Sequence, residues 1–411
     1  MIMDRLPRCV QAFFTPFRRR LSKPQFHHLW SLVLAWAVNL RQAKVTHLAG
    51  LLAGRHRTAR GRFLSDSDWD AADLLDRQAF ALLGRMRPRR GEVIYLVIDD
   101  TRIAKRGRKM AGLSKIWHHA AQRFVRGHLV VTAAMVFRGV ALPWRFVVWQ
   151  PKKLAGRDYR KITEIAARMV RDFTAPEGLR VRVLFDAFYL SPVVTQACAE
   201  SGFHWFSVAA RNRAITREGG PKRKLADAAP GWLRHGGRAV RMRRSRGWAW
   251  LRIAAVDGRL SRIGSVRLVV SKRPREPWRT LVVIATNETG LDARTIVAEY
   301  EKRWAIEVLF KELRGSLGLG DYQVQSERAI RHHLHLSGLS HQVLTHHSLE
   351  AVGAQARKAK QELSLPPLSQ RLDALREDLR RERLDRLLKR VPHGRLRTRM
   401  KRCLFELGLA A

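Results

Sequence analysis

Two near-continuous apolar runs each lead into an aspartate: GEVIYLVIDDT at 91–101 and LRVRVLFDAFY at 179–189. Runs so apolar and so rich in β-branched residues predict strands buried on both faces, which belong in the middle of a sheet. Asp99 and Asp186 then stand at the carboxyl ends of central strands, the edge where open α/β sheets bind ligands. Either aspartate alone could simply cap or turn the chain. Two of them at one sheet edge predict a shared cation site, and an all-oxygen donor set selects Mg²⁺ or Mn²⁺ over zinc.

The rest of the chain can be arranged around these strands. Residues 25–90 carry helical periodicity, as in FHHLWSLVLAWAVNLRQ and SDWDAADLLDRQAFALLGRM, the latter opening on Ser/Asp capping residues. Between them, VTHLAGLLAGRHRTARGRFL is compatible with a helix-turn-helix. From residue 91 strands alternate with helices, beginning with an antiparallel hairpin, which is an α/β layer pattern. Residues 211–275 break that rhythm with a basic loop and alternating stretches that predict a β-rich insertion. RTLVVIATNETG restores a buried strand, and from about 291 the chain is helical again. The expected organisation is a helical DNA-binding region over 1–90, an α/β core over 91–210 and 276–350 split by the insertion at 211–275, and a basic helical region over 351–411. That last region reads equally well as a docked tail or as a DNA-binding arm.

Lys and Arg number 79 against 35 Asp and Glu, for a formal net charge of +44 distributed along the whole length. A polyanion is the expected partner, and nucleic acid is the commonest one. A membrane is not expected: the apolar stretch at 29–40 is shorter than the roughly 20 residues a span requires and predicts a buried helix. The first residues lack the apolar region of a signal peptide, so the chain is expected in the cytoplasm. Cys9, Cys198 and Cys403 are too scattered for a disulfide framework and read as structural thiols.

The segment AEYEKRWAIEVLFKELRGSLGL at 298–319 holds four glutamates in this basic chain. Drawn as one helix at about 100° per residue, Tyr300, Arg303, Glu307, Lys311 and Arg314 share a face, while Ile306, Leu309 and Leu313 lie opposite and pack on the sheet. Glu307 alone sits among cations and an aromatic ring; Glu299, Glu301 and Glu312 read as surface charge. By itself Glu307 could be an (i, i+4) ion-pair partner of Arg303 or Lys311. Beside two strand-end aspartates it becomes the third candidate ligand, in surroundings suited to gripping DNA phosphates.

These blocks resemble the DDE transposases of bacterial insertion sequences, whose catalytic core is RNase H-like. VIDDT matches a strand ending in Asp-x-Thr, which selects Asp99 over Asp100; VLFDAFYLSP supplies Asp186; and the Tyr-x2-Arg-x3-Glu-x6-Lys signature reads Tyr300, Arg303, Glu307 and Arg314. Arg314 stands where the family has Lys, and Lys311 could substitute. The resemblance covers roughly residues 91–345 and implies an RNase H-like mixed sheet with flanking helices. It implies cleavage at transposon ends and joining of the freed 3′-hydroxyl to target DNA. Asp99, Asp186 and Glu307 would hold two Mg²⁺ ions, with Mn²⁺ able to substitute, and Tyr300, Arg303, Lys311 and Arg314 would position phosphates. The implied partner is double-stranded DNA, as terminal inverted repeats and as target, bound by a homodimer in the synaptic complex. A catalytically silent DNA-binding descendant and another RNase H-like nuclease are the alternatives.

Other features carry less. Lys105, Arg106, Arg108 and Lys109 follow Asp99 closely and are expected to touch backbone phosphate. The six histidines of RHHLHLSGLSHQVLTHH complete no metal-ligand spacing and read as exposed or phosphate-contacting. Trp248 and Trp250 would share one strand face, packing in the insertion's core or, alternatively, stacking on an unpaired base.

Overall fold

The structure, a computed structural model, describes residues 5–39, 56–118, 122–244, 247–358 and 362–389, with isolated positions at 48, 394 and 398. Most of the candidate helix-turn-helix segment before residue 56 and most of the tail after 389 lie outside the described residues.

Helix α1 (Lys23–Val38) starts where Ser22 and Gln25 cap each other reciprocally and Pro24 presets the first turn. It is buried almost throughout, as its short apolar stretch predicts, and no described helix is long and apolar enough to cross a membrane. α2 (Arg57–Ser65) and α3 (Ala71–Arg85) follow, the latter capped by Asp70 through the amides of Ala72 and Asp73.

Among the described residues the strands form one twelve-stranded mixed sheet. Its first part comprises β1 (Val93–Ala104), β2 (Ser114–His118), β3 (Arg123–Phe137) and β4 (Val140–Trp149). Then α4 (Ile162–Asp172), β5 (Arg180–Phe185), α5 (Pro192–Glu200) and β6 (His204–Val208) alternate. β1, β5 and β6 run parallel to one another, β5 lying between the other two, and β3 is antiparallel to β1, β2 and β4.

The 211–275 stretch contributes β7 (Ala214–Thr216), β8 (Arg223–Lys224), β9 (Arg238–Arg244), β10 (Gly247–Leu260) and β11 (Gly264–Lys272). It also holds a helix not read from the sequence, α6 (Leu225–Gly236), which tolerates Pro230 inside it. β12 (Val282–Thr286) pairs antiparallel with both β6 and β11, so these strands extend the same sheet.

α7 (Ala293–Glu301), α8 (Trp304–Gly315) and α9 (Glu327–Lys358) cover one face of the sheet together with α1 and α2; one hydrophobic core joins Leu29, Leu32 and Phe63 to Val97, Leu184, Leu309 and Leu339. The second core, on the opposite face, holds Ile94, Leu96 and Ile98 against Ala166, Val170, Val194 and Cys198. α10 (Leu368–Lys389) docks on the first core through Leu372, Leu375 and Leu379. Of the two readings of the tail, residues 362–389 therefore follow the docked one.

Several histidines correct the expectation of exposure: His332, His333, His335, His341, His346 and His347 are all buried along α9. Burial pushes His333 down to about 3 and His335 and His346 down to about 4, so they pack as neutral rings. Trp248 and Trp250 are corrected in the other direction. They stand exposed on β10, 61% and 57% accessible, opposite Arg243 and Arg241 of β9, and outside the core.

Candidate active site

Pleating decides which aspartate of the VIDDT block faces the covering helices. Successive side chains of β1 alternate faces, so Asp99 shares its face with Tyr95 and Val97 of the first core, and Asp100 shares the opposite face with Ile98. Asp100 accepts from the Tyr189 hydroxyl at 3.3 Å and pairs with Arg102 at 3.2 Å. On β5, Arg182, Leu184 and the following Asp186 continue the Asp99 face. Because Ile98 pairs with Phe185 in parallel register, Asp99 and Asp186 are the next residues on neighbouring strands and lie side by side.

That adjacency is electrostatically costly. Burial and the neighbouring Asp186 charge push the Asp99 carboxyl up to about 7, against the Asp100 amide and Arg303, which pull the other way. Asp186 accepts the amides of Phe188 at 2.9 Å and Tyr189 at 3.4 Å, which turns the chain sharply out of β5.

Glu307 approaches from α8. The segment 298–319 is not one continuous helix, as the sequence reading had it. α7 ends at Glu301 and α8 begins at Trp304, with short-range bonds from Lys302 to Glu299 (3.2 Å) and from Arg303 to Tyr300 (3.0 Å) across the break. The break aims Arg303 inward. Its Nη1 donates to Asp99 Oδ2 at 3.1 Å, its other terminal nitrogen bonds Glu307 Oε1, and its guanidinium lies 5.9 Å from the Tyr300 ring. Burial raises the Tyr300 hydroxyl to about 12.

Tyr300, Arg303, Glu307, Asp99 and Asp186 are thus gathered at one end of the β1–β5 pair. Lys311 and Arg314 are exposed on α8; Arg314 holds its guanidinium 5.6 Å from the Phe310 ring, and its basicity is lowered by partial burial against the opposing pull of the Asp99 charge. Ile306, Leu309 and Leu313 are buried beneath, as expected.

Arg106, Arg108 and Lys109 are exposed on the loop after β1. Lys105 is spent differently: its ammonium donates to the carbonyls of Gly320 (2.6 Å) and Tyr322 (2.7 Å) and lies 3.2 Å from the Tyr322 ring centre. Burial lowers it to about 8.

Among the described residues, no three His, Cys, Asp or Glu side chains stand together in ligating geometry. The donor chemistry nevertheless fits a hard cation. Burial and, after it, the charge of the adjacent Asp186 raise Asp99 to about 7, and a guanidinium links Asp99 to Glu307. A divalent ion held by oxygen ligands would relieve the repulsion between the two aspartates.

Two acids of the glutamate segment and one of their partners escaped the sequence reading. Glu299 is 8% exposed and ion-paired to Arg182 (2.7 Å) and Lys302 (3.0 Å), so it is not surface charge. Glu312 is not surface charge either: it binds His341 at 2.9 Å and Arg371 at 2.8 Å, joining α8 to α9 and α10. Arg182 is a charge inside an apolar strand, four residues before Asp186 on the same face, and that placement was the available signal.

A probable transposase for insertion sequence element IS701 from Microchaete diplosiphon is 26% identical over 172 residues, which is 41% of this chain and 42% of that relative. The matched stretch is therefore less than half of either protein. The family described as DDE superfamily endonuclease matches residues 16–254, more than half of the chain, a span that contains Asp99 and Asp186 and stops short of Glu307. The chain belongs to the DDE superfamily endonucleases.

Proposed function

We propose that this protein is an insertion-sequence transposase that cuts DNA at transposon ends and joins the freed 3′-hydroxyl to target DNA. The observation that carries the reading is the side-by-side placement of Asp99 and Asp186 at the ends of adjacent parallel strands, with Glu307 linked to Asp99 through Arg303.

Asp99, Asp186 and Glu307 would hold Mg²⁺ or Mn²⁺, which supplies activation of the attacking oxygen and stabilisation of the leaving one. Arg303 is poised to exchange its carboxylates for a DNA phosphate, for which a planar guanidinium is well suited. Tyr300 borders the same point, and Lys311, Arg314, Arg106 and Lys109 offer charge to the flanking backbone. Lys105 acts there through the carbonyls it holds. Residues 1–90 are proposed as a DNA-binding region, 91–210 and 276–350 as the catalytic core around the insertion at 211–275, and 351–411 as a basic helical region. The DNA is double-stranded, as terminal inverted repeats and target, and pairing two ends calls for a homodimer working at the nucleoid in the cytoplasm.

The test is incubation of purified protein with Mg²⁺ and DNA carrying the inverted repeats that flank its gene. Cleavage at the repeat ends by wild type, and none by Asp99→Asn, Asp186→Asn or Glu307→Gln, is expected. If wild type binds the repeats and never cuts them, a silent DNA-binding protein is the better description. Cutting without strand transfer would make it a nuclease.

A further inference from the structure

Each of the three segments that carry a candidate carboxylate also sends a side chain into one buried polar network. Tyr95 lies four residues before Asp99 on β1, Arg182 four residues before Asp186, which follows β5, and Glu299 lies in the last turn of α7 ahead of the break that leads to Glu307. An offset of four on a strand keeps the same face and places the network roughly 13 Å below the carboxylates.

The bonds are dense. Arg182, 6% exposed, gives two bonds of 2.7 Å to Glu288 and one of 2.7 Å to Glu299 Oε2. That same oxygen accepts the Tyr95 hydroxyl at 2.6 Å, and Lys302 reaches Glu299 Oε1 at 3.0 Å and the Tyr95 hydroxyl at 2.5 Å. Lys302 is followed directly by Arg303, so whatever fixes Lys302 fixes the start of α8 and the reach of Glu307.

A buried ion network is a poor way to gain stability alone, since apolar side chains of similar volume do as well or better. What a fully bonded network supplies is a single arrangement of the elements it joins. The network ties together β1, β5 and the α7–α8 break, the elements that carry the candidate ligands.

We propose that Glu299 is a positioning residue: with Arg182, Tyr95 and Lys302 it holds the α7–α8 break against β1 and β5 so that Glu307 closes on Asp99 and Asp186. The inference rests on the transposase reading for its catalytic consequence and on the fold alone for its effect on cation binding. Burial opposes ionisation of Glu299, and Lys302, Tyr95 and Arg182 outweigh it, which keeps the carboxylate charged.

The experiment compares wild type with Glu299→Gln and Tyr95→Phe, reading single-turnover cleavage at saturating DNA and Mg²⁺, DNA affinity, unfolding midpoint, and Mn²⁺ binding by electron paramagnetic resonance without DNA. Glu299→Gln leaves Arg182 paired with Glu288. It should slow cleavage and weaken Mn²⁺ binding by about tenfold or more, with DNA affinity unchanged, because small misplacements of reacting groups cost rates of that order. Tyr95→Phe should move both readouts the same way, less far, and carries the test if Glu299→Gln fails to fold. Unchanged Mn²⁺ binding in a folded variant overturns the proposal, including when activity falls only in step with the unfolding midpoint. If wild type does not cut, the transposase reading falls while the Mn²⁺ comparison still decides the role of Glu299.

Discussion

Arg303 donates to Asp99 at 3.1 Å and simultaneously to Glu307, so one guanidinium links a strand-end aspartate to the helix-borne glutamate. A cation of the protein thereby binds two of the three carboxylates proposed to hold a metal.

Competition follows from that bond. Arg303→Gln should strengthen Mn²⁺ binding to the DNA-free protein by a fewfold, because a positive charge bonded to two of the ligands is removed. The same substitution should depress cleavage, since the phosphate loses its planar donor. Weaker Mn²⁺ binding in Arg303→Gln would show that the guanidinium organises the carboxylates rather than competing for them.

Asp99 makes stability depend on pH in a defined direction. Its folded carboxyl stands near 7, above its ordinary 3.8, because of burial and the Asp186 charge. Below the ordinary value both folded and unfolded chains are protonated and nothing is lost. As pH rises from there to about 7 the unfolded chain releases its proton first, so folding loses stability through that window. Asp99→Asn cannot ionise. Without metal it should therefore be more stable than wild type at pH 8 by on the order of 1–2 kcal/mol, with the gain shrinking at pH 5. Thermal unfolding in chelator at the two pH values checks this; a pH-independent difference would sink it.

Glu312 separates structure from chemistry. Its ties to His341 and Arg371 span α8, α9 and α10, and Arg371 is 7% exposed. Glu312→Ala leaves that guanidinium without its carboxylate and should cost about 2–3 kcal/mol, measurable by denaturant unfolding. Cleavage per folded molecule should remain close to wild type below the shifted transition. A loss as complete as that of Glu307→Gln would place Glu312 in the chemistry.

The exposed pair on β10 offers a contrast. Trp248→Ala and Trp250→Ala should change stability by less than about 1 kcal/mol, since neither ring is in the core. Stacking on unpaired bases is worth roughly 1–3 kcal/mol per base, so the same variants should bind single-stranded DNA more weakly. Unaltered binding in the double variant would leave the rings without a nucleic-acid role.

How much was legible depended on whether a residue's environment is set by its own segment. β1 and β5 were readable because continuous apolar runs admit little but buried strands, and the pleat then assigns Asp99 and Asp100 to opposite faces. Helical arithmetic also held within α8, where it gave the buried stripe of Ile306, Leu309 and Leu313; the angle it drew between Glu301 and Glu307 assumed a continuous helix, which the break at Lys302 and Arg303 interrupts.

Glu299 and Glu312 were misread because an acid on a helix flank is exposed or buried according to what docks there. Their partners Arg182 and Arg371 are more than fifty residues away in sequence. The α9 histidines failed for the same reason: α1, α2 and α3 pack around that helix and make its polar residues interior.

By itself the sequence determined the alternation of strands and helices, the basic character of the surface, and three acids placed where strands end and a helix turns inward, because periodicity and charge are local properties. Only the tertiary structure decided that Asp99 and Asp186 are neighbours, that the glutamate helix breaks at Lys302 and Arg303, and that Arg303 links Asp99 to Glu307. Those facts depend on strand register and on long-range ion pairs, and neither is encoded within a single segment.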